Sequence, residues 1–387
     1  MRRIYLDHTA TTPLDPRVRE AMEPYFSDVF GNASSIHGYG REAKAALEKA
    51  RAVIAGCIGA EPGEMFFTSG GTESDNLAIV GAARSAKAGG RTHLVTSRGE
   101  HHAVLDTCEA LLHEGFTLSC ADLDDGGKID PRQVRALTSS ATSVVSIMHA
   151  NNEVGTINPL RAIADALHGS GALLHTDAVQ SFGKIPVQVL ELGVDLLSIS
   201  AHKLYGPKGI GALYVRRGTA VDPLFHGGGQ ERGKRPGTEN VALAVGFSKA
   251  AEIACSTMDG ESPRLVGVRE ALETALKEKF PFIIINGNPA DRLPHVVSMS
   301  VDSRKVRIEG EMLVANMDLK GIAVSSGSAC TSGSIQPSHV LLAMGIDPET
   351  ARATIRFSFG RSSTEEDVRY VVERLGEVLQ QMMRSGS

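Results

Sequence analysis

The chain has 387 residues, 42% hydrophobic and 22% charged, with 40 Lys+Arg against 45 Asp+Glu and a formal charge of −5. That near-average balance excludes disordered and collagen-like chains and gives no basic field to draw nucleic acid. Trp is absent and aromatics are only 5%, which argues against stacking platforms for single strands or sugars.

At about 150 residues per domain the length implies two to three domains. The opening residues, from Met1 to Pro16, contain two arginines but no apolar run of the secretory kind. Nowhere do about 18 consecutive apolar residues occur, so no membrane partner is expected and a cytoplasmic location is. From residue 64 to 216, short apolar runs at 65–68, 93–96, 117–121, 143–148, 172–176, 196–200 and 211–215 alternate with helix-like stretches. Seven such strands predict a largely parallel sheet covered on both faces, an α/β fold with ligands at the carboxyl ends of its strands. The loop before the last run is too short for a crossover, so that strand is expected to be antiparallel. After about residue 255 the pattern predicts a helix over 263–280, strands at 282–286 and 295–301, and a helix over 309–319. A strand at 322–325 follows, then a short helix opened by Pro337 and closed by Gly345, a strand at 354–358 and a helix over 364–383.

Several chemistry-bearing groups fall at predicted strand ends. Thr68-Ser69-Gly70-Gly71-Thr72 runs from a strand through two glycines into a helix, with Thr72 the expected cap; such a turn offers free backbone N–H groups to an anion. Strand 196–200 ends in Ala201-His202-Lys203, where partial desolvation would lower the lysine pKa and free the amine as a nucleophile. Asp177 closes the preceding strand, and a carboxylate buried there needs a cationic partner. A pyridinium N–H is such a partner, and Asp with a Schiff-base Lys is the pairing used for pyridoxal phosphate. His101 and Asn151-Asn152 follow strands at the same edge. The segment from Gly228 to Lys234 has P-loop spacing, but Arg235 stands where Ser or Thr is required and Pro236 breaks the following helix. Neither a GxSxG elbow nor an HExxH pair occurs.

Five cysteines (Cys57, Cys108, Cys120, Cys255, Cys330) form no CxxC pair, so neither a disulfide framework nor a structural zinc site is expected. Four lie among apolar neighbours and read as packing thiols. Cys330 sits in the Ser/Gly-rich stretch 325–334, which has no hydrophobic periodicity.

Together Tyr5-Leu6-Asp7, Gly31-Asn32-Ala33-Ser34-Ser35, Thr68 to Asn76, Glu100-His101, Asn151 to Gly155, Asp177 to Gln180, Ser200 to Gly209, Gly237-Thr238-Glu239-Asn240, Gly327 to Ser332 and Ile355 to Arg361 make a specific set. With these motifs the chain resembles the class V, fold-type I pyridoxal-phosphate enzymes, specifically the cysteine desulfurases of the iron-sulfur-cluster and nitrogen-fixation type. The resemblance implies a large cofactor-binding domain over 16–254 and a smaller α/β domain from 1–15 and 255–387. It implies pyridoxal 5'-phosphate attached at Lys203, with Asp177 on the ring nitrogen, Gln180 on the ring hydroxyl and His101 stacked on the ring. Gly71, Thr72, Ser200 and His202 would hold the phosphate, with Thr238 supplied by the neighbouring subunit of a homodimer. Asn152 and Arg356 would address the substrate carboxylate and a nearby ring oxygen. Cys330 would take the sulfur of L-cysteine as a persulfide, leaving L-alanine, and pass it to an acceptor such as an iron-sulfur scaffold or a tRNA-thiolation enzyme. No resident metal is implied, although Cys330 could transiently ligate a cluster on a partner. Selenocysteine lyases resemble the same pattern and stand as the alternative. His8-Thr9, Ala33 and Pro236 depart from the family's common residues without removing a catalytic group.

Overall fold

Leu, Ile, Val and Phe fill the short runs between residues 64 and 216, and a segment buried on both faces must satisfy its peptide groups by strand pairing. In the computed structural model, which describes residues 2–326 and 336–385, these runs become one seven-stranded sheet. A two-residue strand, β1 (Ile4–Tyr5), precedes it. The sheet consists of β2 (Met65–Thr68), β3 (His93–Ser97), β4 (Thr117–Ala121), β5 (Thr142–Ser146), β6 (Leu173–Asp177), β7 (Leu196–Ser200) and β8 (Gly211–Val215), in the order β2-β8-β7-β6-β5-β3-β4. The pairs among β3 to β7 are parallel, whereas β8 runs antiparallel to both β7 and β2. The antiparallel last strand is thus as expected from its short loop.

Helices cover both faces. On one, α1 (Gly38–Cys57) and α4 (Val241–Lys279) bury Leu47, Ile54, Phe247 and Ala251 against Val145 and Ile199 of the sheet. On the other, α2 (Gly71–Lys87) and α3 (His102–Leu112) bury Leu77, Ile79 and Val104 against Leu94 and Leu196. A second core lies around the antiparallel sheet of β9 (Ile283–Asn286), β10 (Val296–Val301) and β12 (Thr354–Ser358). The short β11 (Ile322–Ala323) pairs with β1, and both ends of the chain contribute to this core. Met299 and Phe357 of its sheet pack with Leu272 and Leu276 of α4 and with Leu375 and Leu379 of the amphipathic α6 (Glu365–Ser385), which follows the short α5 (His339–Ala343).

Several boundaries shift from expectation, two of them at prolines. The helix expected over 263–280 is the second half of α4, which passes through Pro263 without a break. A proline there removes one backbone bond and costs about 3 kcal/mol. Burial of Ala250, Ala251 and Ala254 before it and of Leu265, Val268 and Leu272 after it offsets that cost. The α4 stretch is also long and apolar enough to cross a membrane by composition alone, but these residues are committed to the protein's own cores. Near the other boundary, Pro337 lies outside α5, and Ser338 caps that helix by accepting the Leu341 N–H at 3.2 Å.

Candidate active site

The end of β2 turns sharply through Ser69 and Gly70, and α2 starts at Gly71 with Gly70 as its cap, so Thr72 lies inside the first turn rather than before it. Glu73 reaches back to accept the Ser69 N–H at 2.7 Å and is held by Arg235 at 2.8 Å. The turn forms one wall of a cup of about 400 Å³, lined by Gly70, Gly71, Thr72, Ser200 and His202, with Thr11 and Lys208 at its margin. A Cβ on Gly71 would come within 2.8 Å of Val179 Cγ2. Ser200 is 1% exposed, and its Oγ has no hydrogen-bond partner. His202 Nδ1 lies 3.2 Å from Thr11 Oγ1, and burial pushes its pKa down to about 4, leaving a neutral ring. A helix N-terminus, an unpartnered hydroxyl and a close-approach glycine suit a phosphate group.

Lys203 stands beside this cup. Its Nζ donates to the carbonyls of Thr9 at 2.5 Å and Ala10 at 2.8 Å. Burial, with Arg356 adding to it, brings the lysine down to about 8; Asp177 and Asp7 oppose the shift. Asp177 ends β6, buried, with Oδ1 accepting the Val179 N–H at 2.8 Å. Burial raises its pKa, while His101, the Val179 amide and Lys203 pull it back, so a further cation at its free oxygen would be stabilised. Behind it Asp75 is also buried and is pushed well up by burial and by the charge of Asp177. Gln180 points Nε2 at the Thr9 carbonyl, 3.1 Å away.

His101 is the cap residue of α3. Its Nδ1 accepts the Ala103 N–H at 3.0 Å, so the neutral ring carries its proton on Nε2. Packing around the ring lowers its pKa, and Asp177 partly counters this. The turn that carries it is held by Glu100, whose Oε1 accepts from Ser97 Oγ at 2.7 Å and from the Met148 N–H at 3.0 Å. Asn151 adds a bond to the Gly99 carbonyl at 2.9 Å.

Arg356 of β12 reaches the same place from the second core. Nη2 meets Asp7 Oδ1 at 3.0 Å, Nη1 donates to the Asn152 carbonyl at 3.0 Å, and Nε is buried without a partner. A fork held on two sides with a spare N–H is suited to a carboxylate. The structure therefore brings Gly71, Thr72, His101, Asn152, Asp177, Gln180, Ser200, His202, Lys203 and Arg356 to one edge of the sheet. Thr238 is different: it is exposed and lines a separate recess with Ser69, Arg235 and Asn240, not the cup of its own chain. Cys330 lies outside the described residues. The chain on either side of it borders the site, however. Ser325 bridges Arg356 by backbone bonds of 2.7 and 3.3 Å, Ser338 Oγ donates to Glu153, and His339 Nε2 is 2.9 Å from the Glu100 carbonyl.

Sequence reading assigned no role to Thr9, Ala10, Thr11, Glu153 or His339. They belong to segments remote from the strands they serve, and two of them act through backbone carbonyls, which carry no residue-type signal.

The fold and this strand-edge site define a class. The profile of the Aminotransferase class-V family matches residues 4–371, and the chain belongs to that family. Within it, the chain is 46% identical over 381 residues to "Cysteine desulfurase IscS" of Dictyoglomus turgidum, covering 98% of this chain and 95% of that protein. It is 47% identical over 382 residues to the protein of the same name from Anaeromyxobacter dehalogenans, covering 98% and 93%. A solved "NifS-like protein" superposes with a TM-score of 0.91 at 38% identity, over 98% of this chain and all of that one. The structure of DndA from Streptomyces lividans superposes with a TM-score of 0.77, also at 38% identity, over 92% and 99% of the two chains.

Proposed function

We propose that this chain is a cysteine desulfurase, a pyridoxal-phosphate-dependent sulfurtransferase that converts L-cysteine to L-alanine and delivers the sulfur to an acceptor protein. The observation that carries this reading is the grouping of Lys203 with Asp177 and Arg356, whose charges act on it, next to a cup lined by the unpartnered Ser200 hydroxyl. The relatives named cysteine desulfurase support the choice of substrate.

In this reading Gly71, Thr72, Ser200 and His202 hold the phosphate, and Gln180 addresses the ring hydroxyl. When bound, pyridoxal phosphate supplies the electron sink for chemistry at the substrate α-carbon. Asp177 keeps a proton on the ring nitrogen, since a buried carboxylate and a pyridinium neutralise each other. Arg356, braced by Asp7 and the Asn152 carbonyl, orients the substrate by its carboxylate. Lys203, with a pKa near 8, has a substantial neutral fraction and can accept and return a proton at Nζ. His101, with Nδ1 occupied, presents Nε2 for proton transfer. Cys330 is the sulfur acceptor: its thiol and L-cysteine become a persulfide and L-alanine, with one sulfur atom moved and nothing lost. The bonds of Ser325 to Arg356 and of His339 to Glu100, on either side of the segment that carries it, support this role.

The same reading divides the chain into a cofactor-binding unit of 16–254 and a smaller unit of 1–15 and 255–387. It also makes the enzyme a cytoplasmic homodimer in which Thr238 serves the neighbouring cup. The acceptor is a protein thiol or cluster scaffold of the kind used in iron-sulfur assembly or tRNA thiolation.

Incubating the cofactor-loaded protein with L-cysteine tests the proposal. Alanine and a sulfur-bearing Cys330 peptide should form together in the first turnover. Alanine release that is confined to L-selenocysteine would shift the reading to a lyase, and no release from either would remove it.

A further inference from the structure

Two residues beyond Lys203 the backbone enters a region that side chains rarely occupy: Tyr205 has a φ of 66°. Such a conformation persists only where its surroundings over-determine it, and an outlier of this kind points to function. Here the surroundings are the N-terminal segment from Asp7 to Asp15, which is bonded across the 202–205 turn. Thr12, only 3% exposed, fastens the two together. Its Oγ1 donates to the His202 carbonyl at 2.8 Å and accepts the Tyr205 N–H at 2.7 Å, while its own N–H gives the His202 carbonyl a second bond at 3.0 Å. One hydroxyl thus uses donor and acceptor at once, on residues to either side of Lys203. Beside it, Thr11 Oγ1 lies 3.2 Å from His202 Nδ1. Further along, the Asp15 N–H donates to the Tyr205 carbonyl at 3.0 Å. Tyr205 OH accepts the Arg361 N–H at 2.8 Å and Arg361 Nη1 donates to Asp15 Oδ2 at 2.8 Å, which closes a ring of bonds.

The same segment meets the site at two points. Asp7 holds Arg356 at 3.0 Å, and the carbonyls of Thr9 and Ala10 take the Lys203 amine. We propose that Thr12 is a positioning residue: its hydroxyl fixes the 7–15 segment on the turn of Lys203 and so keeps the amine seated, out of water, against the Thr9 and Ala10 carbonyls. The use of that seat in catalysis rests on the reading of Lys203 as the cofactor lysine; the seating itself does not. Valine at this position keeps the shape of threonine but supplies neither donor nor acceptor, which leaves the buried Tyr205 N–H unpaired. The segment is then free to lift, and water reaches Nζ. Burial is the largest influence on Lys203 and brings it down to about 8, so hydration should return it toward the ordinary lysine value. The charged and titratable groups that act on it or feel its charge, Arg356, Asp177, Asp7, His101 and His202, are present in every variant.

Competitive labelling reads the amine without cofactor or substrate. Full-length, cofactor-free protein is acetylated with trace acetic anhydride at a series of pH values, and the Lys203 peptide is quantified by mass spectrometry against an exposed lysine. In the wild type, labelling should rise with a midpoint near 8. Thr12→Val should move the midpoint up by at least about one pH unit, a tenfold fall in neutral amine at any pH below both midpoints. Thr12→Ser, which retains donor and acceptor, should restore the wild-type midpoint. A role in packing alone predicts the reverse, because valine keeps the methyl group and serine lacks it. An unchanged midpoint in folded Thr12→Val, or a Ser protein that behaves like the Val protein, would overturn the proposal. Thr12→Ala gives the same comparison should the Val protein not fold, and failure of both to fold would make Thr12 structural and overturn it too. Capture of pyridoxal phosphate is followed in parallel. Its absence in the wild type would remove the cofactor reading, and the labelling would still decide the seat.

Discussion

Lys203 is held by two backbone carbonyls contributed by Thr9 and Ala10, and its environment sets when it is a nucleophile. Because its pKa is about 8 rather than the ordinary lysine value, capture of pyridoxal phosphate by the cofactor-free protein should accelerate as pH rises through about 8 and then level off. Stopped-flow absorbance measures this; Lys203→Ala should abolish the covalent product, and a borohydride-fixed adduct on Lys208 would reassign the site. Asp177→Asn should leave the fold intact and slow turnover by about 10²–10³-fold, the usual scale for losing one aimed electrostatic group. Near-normal turnover in the Asn protein would make Asp177 structural. Glu100 makes a prediction about stability. Its side chain is wholly buried, and burial raises its pKa to about 8, so the folded state binds a proton that the unfolded chain releases near 4.5. Stability should therefore fall as pH rises from about 4.5 through 8 and flatten above. Glu100→Gln keeps the oxygen that accepts from Ser97 and Met148 but cannot ionise, so it should lose that slope and gain up to a few kcal/mol at pH 8. Thermal melts of both proteins across this range decide it, and parallel slopes would count against it.

At the scale of elements, the loop between β8 and α4 depends on a buried ion pair. Glu231 and the next residue, Arg232, have φ of 46° and 55°, a left-handed stretch that non-glycine residues rarely adopt. Glu231 is fixed there by Arg51 of α1, at 2.6 and 2.7 Å, and by the Phe67 N–H of β2 at 2.9 Å. Glu231→Ala should lower stability by up to about 3–5 kcal/mol, because it takes from the buried Arg51 guanidinium its nearer carboxylate and leaves only the more exposed Glu48 and the Met65 carbonyl. Calorimetry checks this, and an unchanged melting temperature would mean that the loop holds itself. Such a link between α1, β2 and a distant loop is not legible in the residue pattern, whereas the strands themselves are. β2, β7 and β8 begin and end where the apolar runs do, since a strand buried on both faces is apolar nearly throughout, and the half-buried edge strand β4 keeps the bounds of its run as well. Helix continuity through Pro263 was not readable, because it depends on which cores receive each half of α4 rather than on local preference. The site follows the same division. Lys203, Asp177 and the Gly70-Gly71 turn are marked by their place at strand ends, but the Thr9 and Ala10 carbonyls that hold Lys203 are not, since a backbone acceptor carries no residue-type signal.

For the whole molecule, the position of Thr238 makes the number of subunits testable. It is exposed and does not line the cup of its own chain, which suits a residue that completes a neighbour's phosphate site. Mixed dimers of Lys203→Ala and Thr238→Ala subunits should then recover one site with both groups, and with it tight cofactor retention. Neither parent homodimer should do so, and no recovery in the mixture would return Thr238 to its own chain. The long helix α4 has a separate effect. Residues from its first half are locked into the core beside the large sheet, and residues from its second half into the core around β10 and β12. Unravelling either core would strip buried partners from the other through one continuous rod of backbone. Heating should therefore melt both in a single cooperative step, with the calorimetric and van't Hoff enthalpies close to each other, and a cut in the chain near Pro263 should split that step into two.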